Sequence, residues 1–131
     1  MNDPARRAIE AECARLINLY ANLYDAADWA AVAALYAEDG LMTRPTAPDV
    51  AITGCAAVLA AFAARPPRVS RHICANIVIE VEDESHARSE SAMLLFSGVG
   101  APLVGFFHDW FVLTVEGWRL TEQRGSIVFS D

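Results

Sequence analysis

The sequence contains no lysine: all ten of its basic residues are arginines. Every mechanism that needs a lysine amine from this chain is thereby excluded, Schiff-base aldolases and pyridoxal phosphate chemistry among them. A basic stripe is missing too. With a formal net charge of −7 and its arginines scattered, the chain lacks the footprint of a nucleic-acid binder or of a protein that docks on anionic lipid. Cysteine is scarce and odd in number. Cys13, Cys55 and Cys74 lie far apart with no C-x-x-C pair, which fits reduced thiols in a cytoplasmic protein. The longest apolar run, AAVLAAFAA at 56–64, is too short to span a bilayer. The opening MNDPARRAIEAE has no signal-peptide core, so a cytoplasmic protein without membrane contact is expected. Zinc-ligand spacing is absent among the three histidines, and there is no G-x-S-x-G. GVGAPL lacks the third glycine and the following helix of a dinucleotide fingerprint.

What remains is a chain of 131 residues, 54% hydrophobic and 21% charged, which suits one domain over 1–131 with a core of its own. Helical periodicity fills the first half. Ile9, Cys13, Leu16, Ile17, Tyr20, Leu23 and Tyr24 form one apolar stripe at three- and four-residue spacings, with Asp3 as a plausible cap and Pro4 in the first turn. Asp28 can cap a second helix, WAAVAALYA, ending at the turn EDG of 38–40. A short strand around 41–44, a loop PTAPD, and a third helix over 54–64 capped by Thr53 and stopped by RPP complete this half.

The second half reads as strands over 69–81, 86–97, 103–115 and 118–129, the last two joined by a tight hairpin at Glu116-Gly117. Helices followed by an antiparallel meander predict an α+β domain, with helices covering one face of a curved sheet. Several strands are apolar on both faces, such as Met93 and Leu95 against Leu94 and Phe96. The outer face is therefore expected to meet a second copy, giving a homodimer. In RHICANIVIEV, residues 71–81, unbroken alternation would set His72, Cys74, Asn76 and Val78 on one face.

LINLYANLYDAADWAAVAALYAEDG resembles the two opening helices of the nuclear transport factor 2-like superfamily, in its SnoaL-like branch. ITGCAAVLAAF, RHICANIVIEV and FFHDWFVLTVEGWRL resemble its third helix and its sheet, so the likeness covers nearly the whole chain. It implies a cone-shaped, cystatin-like α+β barrel of mainly antiparallel strands enclosing an apolar pocket, commonly dimeric. YANLYDAADW is similar to the matching segment of scytalone dehydratase. Tyr20, Asp25 and His72 match the spacing of bile-acid 7α-dehydratases, and hexachlorocyclohexane dehydrochlorinases share the Asp and the H-x-x-x-N. The resemblance thus implies catalytic roles for Tyr20, Asp25 and His72, with Asn76 beside them. It puts Asp109 at a pocket-facing position alongside Phe107 and Phe111. The second pocket histidine of scytalone dehydratase has no match here, and a late arginine of some relatives falls at Gln123, one position before Arg124.

These groups suit one kind of chemistry. A carboxylate bonded to one imidazole nitrogen fixes the tautomer and leaves the other nitrogen free to take a proton. A tyrosine hydroxyl can donate to a carbonyl oxygen or a departing hydroxyl. The expectation is a cofactor-independent lyase or isomerase of the dehydratase type, needing no metal, on a small hydrophobic cyclic substrate. His72 would be the base, Asp25 its orienting partner and Tyr20 the donor. Asn76, Asp109 and Arg44 would position substrate, with Tyr24, Phe62, Met93, Phe107, Phe111 and Trp110 as candidates for the wall, although alternation cannot put 107, 110 and 111 all inside. Asp109 could be a neutral acid or half of an ion pair with an arginine. Two rivals stay open: a non-catalytic ligand-binding or assembly module, and an epoxide hydrolase in which Asp109 and a second carboxylate activate water.

Overall fold

The computed structural model describes residues 1–129. Helix α1 (Asp3–Asp25) begins at Asn2, whose side chain accepts from the Ala5 amide, so the cap lies one residue before the expected Asp3. Its stripe of Cys13, Leu16, Ile17, Tyr20, Ala21 and Tyr24 is buried. The chain then turns through Ala27, which takes a left-handed φ of 56°. Asp28 caps α2 (Trp29–Ala33), its carboxylate accepting from the Ala31 amide.

Helix α2 stops earlier than predicted. YAEDG, expected as helix end and turn, instead opens strand β1 (Tyr36–Arg44). Gly40 explains why this stretch lies so close to its neighbour: a Cβ there would come 2.9 Å from the carbonyl oxygens of Ala37 and Leu120. PTAPD is likewise no loop. After a turn at Pro45-Thr46 it continues as β2 (Ala47–Thr53), and a proline is tolerated there because β2 is an edge strand. Helix α3 (Cys55–Ala63) is capped by Gly54, at a φ of 94°, and not by Thr53.

Strands β3 (Arg71–Val81), β4 (His86–Phe96), β5 (Leu103–Thr114) and β6 (Gly117–Ile127) follow as predicted, with Gly117 at a φ of 117° closing the hairpin. The sheet order is β2-β1-β6-β5-β4-β3, every pair antiparallel except β1 with β6. The sheet is not closed: β2 and β3 remain edges. Helices on a six-stranded, mostly antiparallel curved sheet are the α+β architecture expected from the sequence.

Two irregularities decide which side chains face the helices. In β3 the register shifts between Ala75 and Val78, and Asn76 takes a φ of 55°. This bulge breaks the alternation. His72 and Cys74 stay on the helix-covered face, but beyond the bulge Ile77 and Ile79 take over, while Asn76 and Val78 are exposed. In β6 the register shifts opposite Trp110 and Phe111, so that both Leu120 and Gln123 face inward.

Candidate functional site

Alternation and register arrange the inner face of the sheet in rungs. His72 pairs with Leu95 and Leu95 with Leu103; Cys74 pairs with Met93 and Met93 with Gly105. Deeper lie Ser91, Phe107 and Gly125, then Ser89, Asp109 and Gln123, then Ala87, Phe111 and Leu120. Above the upper rungs is a cavity of about 440 Å³ lined by Tyr20, Tyr24, Arg44, Phe62, Arg65, His72, Met93, Phe107 and Gln123, among others.

His72 Nδ1 lies 2.7 Å from Asp25 Oδ1, with both side chains nearly buried, at 7% and 4% exposure. Asp25 is fixed at three points. Its Oδ2 accepts the His72 backbone N–H at 2.7 Å, and its Oδ1 accepts the Ser70 hydroxyl at 3.0 Å as well as the imidazole. Such a carboxylate cannot rotate away. With Nδ1 committed to it, Nε2 is left without a partner among the described residues, on a ring that lines the cavity. Tyr24 packs edge-on against that ring at 4.8 Å and Phe107 stacks at 6.4 Å, which holds its plane.

Tyr20 reaches the cavity from α1. Its hydroxyl lies 3.2 Å from that of Tyr36, which in turn donates to Gln123 Oε1 at 3.2 Å. Since Tyr36 gives its one proton to Gln123, Tyr20 gives its own to Tyr36. A half-turn of the Gln123 amide would reverse the chain, with Nε2 donating to Tyr36, Tyr36 to Tyr20, and the Tyr20 proton free for a ligand. Burial raises both phenols well above their usual range, so both remain protonated donors. Burial also pushes the Cys74 thiol up to about 11, with the charges of Asp109 and Asp25 adding to it. Neither that thiol nor Cys13, raised to about 12 chiefly by burial, is a ready nucleophile at neutral pH.

Asp109 faces inward as expected, but it does not line the cavity. It sits one rung below Phe107, 1% exposed, and neither carboxyl oxygen makes a well-formed hydrogen bond to a described residue. Burial raises it to about 7, which the nearby Gln123 amide only partly offsets. No arginine pairs with it among the described residues, so of the two alternatives the ion pair is absent. Phe111, two rungs below Phe107, belongs to the core and not to the wall. Trp110 points to the other face, as alternation requires.

Asn76 is the clearest correction. The bulge turns it out of the inner face, and it contributes nothing to the cavity. Tyr20, Tyr24, Arg44, Phe62, His72, Met93 and Phe107 do converge there, with Asp25 behind His72. Sequence reasoning overlooked Tyr36, Ser70, Arg65 and Arg68, and left Gln123 without a role. Only Arg65 carried a signal, as the first residue of the segment that stops α3. At least three His, Cys, Asp or Glu side chains would be needed to hold a metal, and no such cluster exists among the described residues. None of the described helices is long and apolar enough to cross a membrane.

Several solved structures share this fold. A protein from Novosphingobium aromaticivorans provisionally named a scytalone dehydratase is 19% identical at a TM-score of 0.85, over 98% of this chain and 89% of that one. An NTF2-like protein with a cystatin-like fold from the same organism is 23% identical, with a TM-score of 0.81 over 95% of this chain and 86% of its own. A protein of the NTF2-like family from Streptomyces avermitilis, provisionally named a dehydratase, is 15% identical, with a TM-score of 0.83 over 95% and 99% of the two chains. At these identities the likeness speaks for the fold alone. No curated protein matches the sequence significantly. The sequence profile of the SnoaL-like domain matches residues 5–124, and the chain belongs to that family.

Proposed function

We propose that the protein is a cofactor-independent lyase or isomerase that removes a proton from a small hydrophobic cyclic substrate, in the manner of a dehydratase. The observation that carries this reading is the 2.7 Å contact between Asp25 and a His72 ring whose other nitrogen has no partner among the described residues and which lines an open cavity. His72 takes the proton through Nε2, Asp25 stabilises the imidazolium, and Tyr20, its proton released by a half-turn of the Gln123 amide, donates to the oxygen on which charge develops. Met93, Phe62 and Phe107 supply an apolar surface against which a ring system fits. A pure binding module needs neither the fixed carboxylate nor the free nitrogen. An epoxide hydrolase of the kind considered needs Asp109 at the cavity, where it does not lie.

The active species in this reading is a homodimer paired through the outer face of the sheet. There Ile73, Val78 and Phe96 are exposed at 52%, 63% and 42%, between residues of both signs such as Arg88, Glu80 and Glu90. A second copy offers the same mixture back about a two-fold axis.

The test is turnover of a panel of cyclic β-hydroxy ketones in D2O, followed by mass spectrometry for loss of water or uptake of deuterium. Wild type is expected to turn over at least one member, and His72→Gln is expected to lower the rate by about 10²–10⁴. A His72→Gln protein as active as wild type would sink the mechanism.

A further inference from the structure

The wall of the cavity is charged in one sense only. Arg44, at the end of β1, and Arg65 and Arg68, on either side of Pro66-Pro67, all line it, and no aspartate or glutamate among the described residues does. This occurs in a chain with 17 acidic residues against ten basic ones. Asp25 is already bonded to His72, and Asp109 lies one rung beneath Phe107. Of the seven other arginines, Arg6, Arg88, Arg119 and Arg124 each meet an acidic side chain, whereas Arg7, Arg15 and Arg71 meet none among the described residues. Among the described residues the three cavity arginines meet none.

The guanidiniums of Arg44 and Arg65 are nevertheless held in place. The Arg44 Nη2 group donates to the Ala61 carbonyl at 3.1 Å, while its Nε is buried with no acceptor among the described residues. Arg65 donates to the Tyr24 hydroxyl and lies with its guanidinium carbon 4.7 Å from the Phe62 ring centre and 5.4 Å from that of Tyr24. The two prolines restrict the segment that carries Arg65 and Arg68. A buried donor without an acceptor and an ordered cation without a counter-charge both cost stability. Both are relieved by one kind of ligand group.

We propose that the substrate carries a carboxylate, bound by the guanidiniums of Arg44 and Arg65 with Arg68 at the rim, while its apolar ring lies against Phe62, Met93 and Phe107. This rests on the catalytic reading in so far as the same cavity holds the substrate. A guanidinium matches a carboxylate edge-on through two parallel N–H bonds. The wall has no glycine-rich loop at a helix N-terminus of the sort that cradles a phosphate. Anchoring the acid at the arginines fixes which carbon of the ring is presented to His72, so the anion would select both the molecule and the proton removed.

Isothermal titration of wild-type protein with 2-naphthoate, 2-naphthamide and 2-naphthyl phosphate, none of which needs to react, tests this directly. The carboxylate is expected to bind about tenfold or more tighter than the neutral amide, as charge-assisted hydrogen bonds would give. That preference should shrink as salt is raised, and in Arg44→Gln it should fall to about threefold or less. Equal binding of acid and amide would overturn the proposal and leave the hydrophobic lyase standing. Tighter binding of the phosphate than of the carboxylate would overturn it in favour of a phosphorylated ligand. If none of the three bound, the proposal and the cavity reading would fall together. Arg65 packs on two rings, and Arg65→Gln could fail to fold, so the salt dependence in wild type carries the decision.

Discussion

Replacing Asp109 with Asn should make the protein more stable, by an amount that depends on pH in a defined direction. In the folded chain burial holds the carboxyl at about 7, against the ordinary 3.8 of an aspartate in water. Below about pH 4 the side chain is protonated in both states and contributes no difference. As the pH rises from there, the unfolded chain releases the proton and the native state keeps it. Stability therefore falls steadily until the native carboxyl also ionises near pH 7, and the full loss persists above. The gap corresponds to roughly 4 kcal/mol. Asparagine has the same shape, cannot ionise, and is free of this penalty. The melting temperature of Asp109→Asn should accordingly lie close to wild type at pH 4 and roughly 10 °C or more above it at pH 8. Because other titrating groups are common to both proteins, the difference between the two curves isolates Asp109. Calorimetry from pH 4 to 8 measures it. A constant difference across that range, or a variant less stable at pH 8, would mean that the carboxylate is charged and well partnered, and the reasoning would fail.

Other substitutions probe other links. Asp25→Asn should lower turnover by about 10²–10⁴, since an amide cannot orient the imidazole and stabilise its cation together, and steady-state kinetics would read this as a fall in kcat. Ala27→Gly should stabilise the chain by about 0.5–1 kcal/mol by relieving a left-handed alanine, visible as a higher urea midpoint. Asn76→Val, which puts a β-branched residue at a φ of 55°, should lower that midpoint by about 1–2 kcal/mol of stability. Light scattering of Val78→Arg against wild type tests the dimer: a monomeric variant is expected, and a wild type that is itself monomeric would refute the pairing.

Much of the architecture was legible because local pattern and tertiary demand agree. The stripe on α1 and the strands of the second half are the same residues in sequence and structure, and they bring Tyr20, Asp25 and His72 toward one place. Where local pattern and long-range pairing conflict, pairing wins. Tyr36 to Gly40 follow an alanine-rich helix and end in glycine, yet they become strand because β6 offers a partner more than eighty residues later. Asn76 shows a different gap: alternation held for His72 and Cys74 and failed two residues on, because a bulge needs only one left-handed residue and asparagine is among the few that adopt it readily. Asp109 and Phe111 show a third. Their face was correct, but periodicity has no depth coordinate, and the rung on which a residue sits follows from register with strands elsewhere in the chain. Arg65 and Arg68 could be read only as the end of a helix, since nothing local says which wall a loop will form.

The parallel pairing of β1 with β6 also bears on how the molecule comes into being. Tyr36 waits for Leu120, and Met42 for Gln123, so the sheet cannot reach its full order until the last strand has been made. The same strand supplies Gln123, to which the Tyr20–Tyr36 chain is tied. During synthesis β1 therefore lacks its β6 neighbour until residues 117–127 have been made, and the wall that Gln123 and Gly125 supply is absent until then. Closing so long a segment is slow. Cotranslational force or protease-protection profiles should show a late, abrupt gain of structure as β6 emerges, with no earlier plateau in which the cavity is already formed.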